Sequence, residues 1–299
     1  MTACSPESGA SPPESRWWSR NGNEALCGLC PHACRIPEGK TGRCGARSFD
    51  GRALVSPYLG RFCSIAVDPI EKKPLYHWRP GTAILSLGSL GCTMRCPFCQ
   101  NHGIAHPKAG RIPGLASLAI KELARKTREL GLDSVAYTYN EPALQAEYII
   151  AAAPVLREHG IATALVSNGM YSEALLNALA PVTDAANIDV KTFNPRTYAR
   201  LGGSLDTVKT TVVRLLEAGA HVECTTLVVP GVSDSPDEFA EELDWLAALS
   251  PTIPLHISRY RPAYKYNAPP TSLDLLKRFA DMAGAKLRHV HIGNVPGLM

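Results

Sequence analysis

The chain has 299 residues, 45% of them hydrophobic and 19% charged, and a formal net charge of +4. That length accommodates one barrel-type α/β domain of roughly 200 to 250 residues plus a small appendage, and the composition excludes a disordered chain. Lys and Arg are scattered rather than gathered into a run, so neither nucleic acid nor a membrane surface is implied as a partner.

Residues 1–22, MTACSPESGASPPESRWWSRNG, carry Ser, Pro and Glu and no apolar core. They fail as a signal peptide and read as a disordered arm. No apolar stretch approaches the ~18 residues of a membrane span, so a cytoplasmic protein is expected. Ten cysteines without an export signal point to metal binding rather than disulfides, because a reducing cytosol keeps thiols free.

Residues 23–50 form a Cys-rich subdomain. Cys27, Cys30, Cys34 and Cys44 are spaced C-x2-C-x3-C-x9-C among Gly and Pro with little periodicity, which suits a segment that folds around a metal instead of a core. Four thiolates leave no open position, so the site is structural or an electron relay, holding zinc or an auxiliary [4Fe-4S] cluster. Pro31 and the short connections look more like a zinc knuckle than a ferredoxin run, and His32 could replace one Cys. Residues 51–81, including DPIEKKPLYHW, show no period and read as an irregular connection.

From residue 82 to 299, strand-like runs alternate with amphipathic helical ones. Strands are expected at 83–88, 134–139, 161–167, 185–190, 221–229, 254–260 and 287–293. Helices are expected at 115–130, from Pro142 toward His159, and at 172–180, 205–218, 236–248 and 271–283. Repeated βα units imply a parallel sheet, as a partial or complete barrel or an open doubly wound sheet. In such folds ligands bind at the carboxyl ends of the strands.

The loop after the first of these strands, GCTMRCPFCQN, holds Cys92, Cys96 and Cys99 in a C-x3-C-x2-C spacing. Three thiolates can bind three irons of a cubane and leave the fourth open to a chelating ligand. The alternative is zinc, with His102, His106 or Cys63 as fourth ligand.

With Gln100 and Asn101 following, this loop resembles the radical SAM (S-adenosylmethionine) superfamily. The similarity lies in the branch related to pyruvate formate-lyase activating enzymes and runs from about Ile84 to His291. With the upstream cysteines and DPIEKKPLYHW included, the chain resembles the AmmeMemoRadiSam-system radical SAM proteins. The resemblance implies a TIM-like (β/α) radical SAM barrel whose [4Fe-4S] cluster sits on Cys92, Cys96 and Cys99. S-adenosylmethionine would chelate the open iron and be cleaved to a 5′-deoxyadenosyl radical. It also implies a low-potential electron donor such as flavodoxin or ferredoxin.

Asn140 and Glu141 follow the second barrel strand. A carboxylate there could accept hydrogen bonds from the SAM ammonium or simply cap a helix. The related activating enzymes have Gly-Gly-Glu-Pro where this chain has Tyr-Asn-Glu-Pro. Ser167 and Asn168 end the third strand within reach of a ribose or methionine. Asp189 and Lys191 share one face of the fourth strand; a salt bridge is the plain reading, while the resemblance points them at the SAM carboxylate and the radical site. His256 reads as a satisfied core histidine or, by resemblance, a contact to the adenosine ribose. Tyr260, Arg261, Tyr264 and Lys265 are expected to cover the barrel mouth, and Cys224 and Cys4 to be plain thiols.

The expected activity is hydrogen abstraction from an unidentified protein, peptide or small molecule. One branch modifies a partner within the AmmeMemoRadiSam system; another activates a glycyl radical enzyme, although activases with auxiliary clusters carry the extra cysteines after the radical loop. The rival from a different class is a noncatalytic zinc-binding interaction protein.

Overall fold

A computed structural model of the chain describes residues 14–107 and 114–295, so Cys4 lies outside the described residues. The amino-terminal part is a three-stranded antiparallel sheet of β1 (Trp18–Asn21), β2 (Glu24–Cys27) and β3 (Arg35–Pro37). A two-stranded ribbon of β4 (Ser48–Phe49) and β5 (Leu54–Val55) follows.

Two expectations change here. The end of the supposed arm is a strand, because Trp18–Asn21 pairs along its length with Glu24–Cys27 and Trp18 packs against Phe49. The Cys-rich segment also has a core. Ala25, Leu29, Ile36, Phe49 and Leu54 are buried and belong to the same apolar cluster as the barrel. Arg47, buried, donates to Glu147 at 2.8 Å on the barrel side, an ion pair that fastens the subdomain to the larger body.

The short strands β6 (Arg61–Phe62) and β9 (Ala116–Ser117) pair with each other, which takes residues 116–117 out of the helix expected from 115. The main sheet comprises β7 (Ser64–Pro69), β8 (Ala83–Gly88), β10 (Ser134–Tyr137), β11 (Ala162–Ser167), β12 (Ala185–Val190), β13 (His221–Val228), β14 (Leu255–Arg259) and β15 (Val290–Gly293). Its order is β15-β14-β13-β12-β11-β10-β8-β7. Every pairing is parallel except that of β7 with β8. With β7 and β15 at opposite edges, this is the partial form of the barrel.

Helices α1 (His102–Ala105), α2 (Ile120–Glu129), α3 (Ala146–Glu158), α4 (Glu173–Leu179), α5 (Pro195–Arg200), α6 (Leu205–Glu217), α7 (Pro236–Leu249) and α8 (Leu273–Gly284) supply the connections. Ser172, Ser204, Ser235 and Ser272 each cap a helix, the hydroxyl accepting an amide three residues on, which satisfies a donor the first turn leaves free. Gly131, at φ +68°, closes α2 in a conformation that only glycine adopts without strain. The helix expected at Pro142 begins as a 3-10 turn, Pro142–Gln145, before α3, and α3 runs through Pro154.

The strand alternation divides the core in two. Leu85, Leu87, Val135, Tyr137 and Leu165 belong to the larger cluster, whereas Ile84, Ala136, Ala164 and Ala185 meet Ile70 and Leu75 in a separate one. Three alanines at corresponding inward positions leave room for those two side chains. The segment expected to be a mere connection therefore supplies an edge strand, β7, and an apolar plug for the lower end of the sheet. Among the described residues no helix is long and apolar enough to cross a membrane.

Glu242 on α7 is buried, and its carboxylate accepts a hydrogen bond from Thr226 Oγ1. Burial pushes it from its ordinary 4.5 up to about 8, against the pull of that hydrogen bond. Between those two values the folded protein retains a proton that the unfolded chain has lost. Stability must then fall as pH rises, by at most about 1.4 kcal/mol per pH unit from this group. Glu242→Gln, which keeps an acceptor for Thr226, is expected to flatten the slope in urea denaturation series from pH 5 to 8; an unchanged slope would place its origin elsewhere.

Candidate active site

A cavity of about 350 Å³ opens at the carboxyl ends of the strands, within the roughly 300–1,000 Å³ of small-molecule sites. Cys92, Cys96 and Cys99 all line it. The loop that carries them is held from three sides. Asn140 accepts from Ser89 N at 2.9 Å and donates to Gly91 O at 3.0 Å, gripping the backbone just before Cys92. Gly91 itself, at φ +93°, lies so close to Cys44 O that a Cβ would sit 2.5 Å from it. On the far side, Tyr264 stacks on His102 with ring centroids 4.6 Å apart, and Lys265 N donates to Pro97 O at 2.9 Å.

The loop also aims donors at its sulfurs. The Met94 amide donates to the Cys92 thiol and the Asn101 amide to Cys99, while Asn168 Nδ2 lies 3.5 Å from Cys92 Sγ. Such hydrogen bonds stabilise thiolate ligands and tune a cluster's potential. Burial alone drives the thiols the other way and lifts Cys96 to about 11, so their ionisation calls for a metal's positive charge.

The side chains considered for a fourth zinc position are engaged elsewhere, although His106 does line the same cavity. Cys63 Sγ donates to Ser89 O at 3.1 Å, His102 Nδ1 sits 3.2 Å from Cys99 O, and His106 Nδ1 is engaged by Arg95 Nη1 at 2.9 Å. Three sulfurs facing one ligand-sized cavity fit a cubane with an open iron.

Glu141 and its neighbours lie at the cavity but face the protein. Its buried carboxylate accepts from Ala143 N at 3.0 Å and Ser167 Oγ at 2.8 Å on one oxygen, and from Asn168 N at 3.1 Å on the other. It thus caps the turn at Pro142 and ties the ends of β10 and β11 together, with burial pushing its own ionisation up to about 7. Ser167 and Asn168 are spoken for by this network and by Thr93, whose Oγ1 accepts from Asn168 Nδ2 at 3.1 Å. Asp189 and Lys191 form an ion pair of 2.7 Å on the cavity wall. Burial opposes the Lys191 charge, but Asp189 and Cys96 together hold its ionisation above the ordinary lysine value.

His256 does not join the cavity. Its Nε2 lies 2.6 Å from Glu223 Oε2, and its ring meets Tyr76 and His291 below the cavity floor. Burial alone would raise the Glu223 carboxyl, yet hydrogen bonds from His221, His256 and the His77 amide bring it down to about 2. The residue of β14 that does line the cavity is Ser258, one inward layer higher.

Groups that sequence reasoning left without a role also reach the cavity, namely Lys72, Lys73, Thr225 and Asn294. Lys73 pairs with Asp68 at 2.8 Å and lies over the Tyr139 ring at 4.3 Å, while Tyr139 donates to the same Asp68 carboxylate. The adjacent lysines in DPIEKKPLYHW were the only sequence signal for this corner.

Residues 87–246, which span the cysteine loop and β8 to α7, match the radical SAM superfamily. The chain belongs to the radical SAM superfamily. An uncharacterised protein of Methanocaldococcus jannaschii is 35% identical over 92% of this chain and 83% of its own length. The pyruvate formate-lyase 1-activating enzyme of Escherichia coli is 28% identical over 49% of this chain and 61% of its own length. In fold, the chain is similar to Streptococcus suis SuiB solved with S-adenosylmethionine bound, with a TM-score of 0.55, 16% identity, and coverage of 71% of this chain and 52% of that one. Membership of this superfamily makes the chain an enzyme and implies a [4Fe-4S] cluster and S-adenosylmethionine as its cofactors.

The position of His256 has a measurable consequence. His256→Ala is expected to lower stability by about 1.5–3 kcal/mol, because Glu223 loses a charge-assisted partner, and to leave SAM affinity within about twofold. Denaturation and calorimetry on the same sample separate the two, and a large loss of affinity at unchanged stability would return His256 to the cofactor.

Proposed function

We propose that this radical SAM enzyme binds its cluster through Cys92, Cys96 and Cys99 and abstracts hydrogen from a protein or peptide partner of an AmmeMemoRadiSam-type system. The observation that carries the reading is the trio of thiols lining one ligand-sized cavity. When bound, the reduced cluster supplies the electron that cleaves SAM to methionine and a hydrogen-abstracting 5′-deoxyadenosyl radical.

The chain's own residues orient and shield. Asn168 and the amides of Met94 and Asn101 direct donors at the sulfurs. Lys191, paired with Asp189, places a cation beside Cys96 and Cys99. Asp189, Thr225, Ser258 and Asn294 offer polar groups along the wall to the ribose and the amino-acid end of SAM. Glu141 and Asn140 act one step back, as positioning residues for the strand ends and the loop. The reading includes a low-potential one-electron donor such as a flavodoxin or ferredoxin and a cytoplasmic location. The similarity to an activating enzyme over about half of this chain supports a second reading, glycyl radical activation; the position of the extra cysteines, ahead of the barrel, favours the first.

The anaerobically reconstituted protein, reduced with dithionite, is expected to convert SAM to 5′-deoxyadenosine and methionine even without a substrate. Cys96→Ala removes a cluster ligand and should abolish the products, whereas Cys224→Ala, in the closed interior of β13, should leave more than about half of the rate, since a buried free thiol behaves as a small apolar residue. Mass spectrometry decides: no deoxyadenosine above a protein-free control, with the cluster intact, overturns the reading.

A further inference from the structure

The four amino-terminal thiols are not used by the chemistry above. Cys27, Cys30 and Cys44 are buried, and Cys34 is half-buried between exposed Ala33 and Arg35. All are free thiols. Each of the buried three receives a backbone amide from two residues ahead, from Leu29, His32 and Ala46 respectively. That is the same turn geometry that aims Met94 at Cys92 and Asn101 at Cys99. The first group is thus folded like the second, with cysteines turned inward and met by backbone amides. His32 is not one of them, because its Nε2 lies 2.8 Å from Thr93 O.

Four thiolates suit either zinc or a cubane, and what the group adjoins chooses between them. The backbone brings the four together, with Cys27 N donating to Cys34 O at 2.9 Å and Ala33 N to Cys30 O at 3.2 Å, and Cys44 lies against the radical-site loop. A closed zinc site has no use for that contact, whereas a redox cluster does.

The two groups also share a wall. Cys92 N donates to Cys44 O at 3.2 Å, Ser172 N donates to Leu29 O at 3.2 Å, and Arg95 Nη2 reaches Arg43 O. A short string of covalent bonds with one hydrogen bond in it leads from the Cys44 sulfur to the Cys92 sulfur. Cys34 marks the solvent side of the same group, and its exposed neighbour Arg35 offers a cation to an acidic donor protein.

We propose that Cys27, Cys30, Cys34 and Cys44 hold an auxiliary [4Fe-4S] cluster that relays electrons from the surface at Cys34, through the Cys44–Cys92 contact, to the cluster of the radical site. The relay rests on the function proposed above. An acidic low-potential donor gives one electron to the auxiliary cluster, which is reoxidised as it passes that electron on, so the auxiliary site ends each transfer unchanged.

Metal analysis of the anaerobically reconstituted wild-type chain should find about eight irons and no zinc, and the Cys92→Ala/Cys96→Ala/Cys99→Ala variant about four irons. In that variant the reduced cluster's electron paramagnetic resonance signal should ignore SAM. The fully reduced wild type should show spin–spin broadening between two clusters, only one of them SAM-sensitive. In Cys30→Ala/Cys34→Ala, loaded with its remaining cluster, reduction by photoreduced flavodoxin should slow at least tenfold. About four irons with one zinc, or four irons alone, overturns the auxiliary cluster. Absent broadening, or an unchanged reduction rate, overturns the relay. A wild type with eight irons that never responds to SAM would instead sink the proposed function and leave the auxiliary cluster standing.

Discussion

The active site depends on a buried carboxylate that the protein itself satisfies. Glu141 accepts three hydrogen bonds, one from the turn that follows β10 and two from the end of β11, while Asn140 beside it grips the backbone on both sides of Leu90. Together they decide where β10 and β11 stop and where the cysteine loop starts. A carboxylate in so enclosed a place is unfavourable without partners, and burial does push its ionisation upward. The donors gathered around it offset that cost, and their arrangement is the mouth of the cavity. Tyr139, at φ +69°, is the backbone consequence: the chain turns sharply there so that Asn140 and Glu141 point to different parts of the rim.

The inside of the sheet is layered in the same way. Its lower layer is apolar where Ile70 and Leu75 fill the space above Ala136, Ala164 and Ala185. Glu223, His256 and Asn187 make the next layer polar but self-satisfied, with Asn187 Nδ2 donating to Pro74 O and Oδ1 accepting from Thr225. Only the top layer, with Asp189, Lys191 and Ser258, is left facing open space. The segment from Asp68 to Trp78 serves all three, since it plugs the bottom, donates its Tyr76 and His77 amides to Glu223, and brings Lys72 and Lys73 to the cavity.

Most of the strands were legible as short apolar runs separated by amphipathic helical ones, and the cysteine loop because its spacing admits few ligand geometries. What was lost was depth along a strand. His256 and Ser258 point the same way, and only the distance from the strand's end separates them, one layer of roughly 6–7 Å. Along the sheet His256 pairs with Thr225, and its ring turns to Glu223 at 2.6 Å rather than to Lys191. The plug was invisible for a different reason: it has no period of its own, and its order comes from space that three alanines leave on other strands. The amino-terminal core was missed because its apolar residues are few and isolated in sequence, and they gain burial only by joining the barrel's own cluster.

Lys191 shows how the two cysteine groups differ in kind. An ammonium so enclosed tends to shed its proton, yet Asp189 and the sulfurs of Cys96 and Cys99 hold it charged. Its cation stands on the cavity side of the loop. Around Cys27, Cys30 and Cys44 the opposite holds. Arg47 is the nearby cation, but it is spent on Glu147 and Ser15. An open shell faces a charged wall and room for a ligand, and a closed shell faces a packed interface. The number of cysteines in each group, read with what each group faces, underlies the proposed division between a place where a substrate is changed and a place through which electrons arrive.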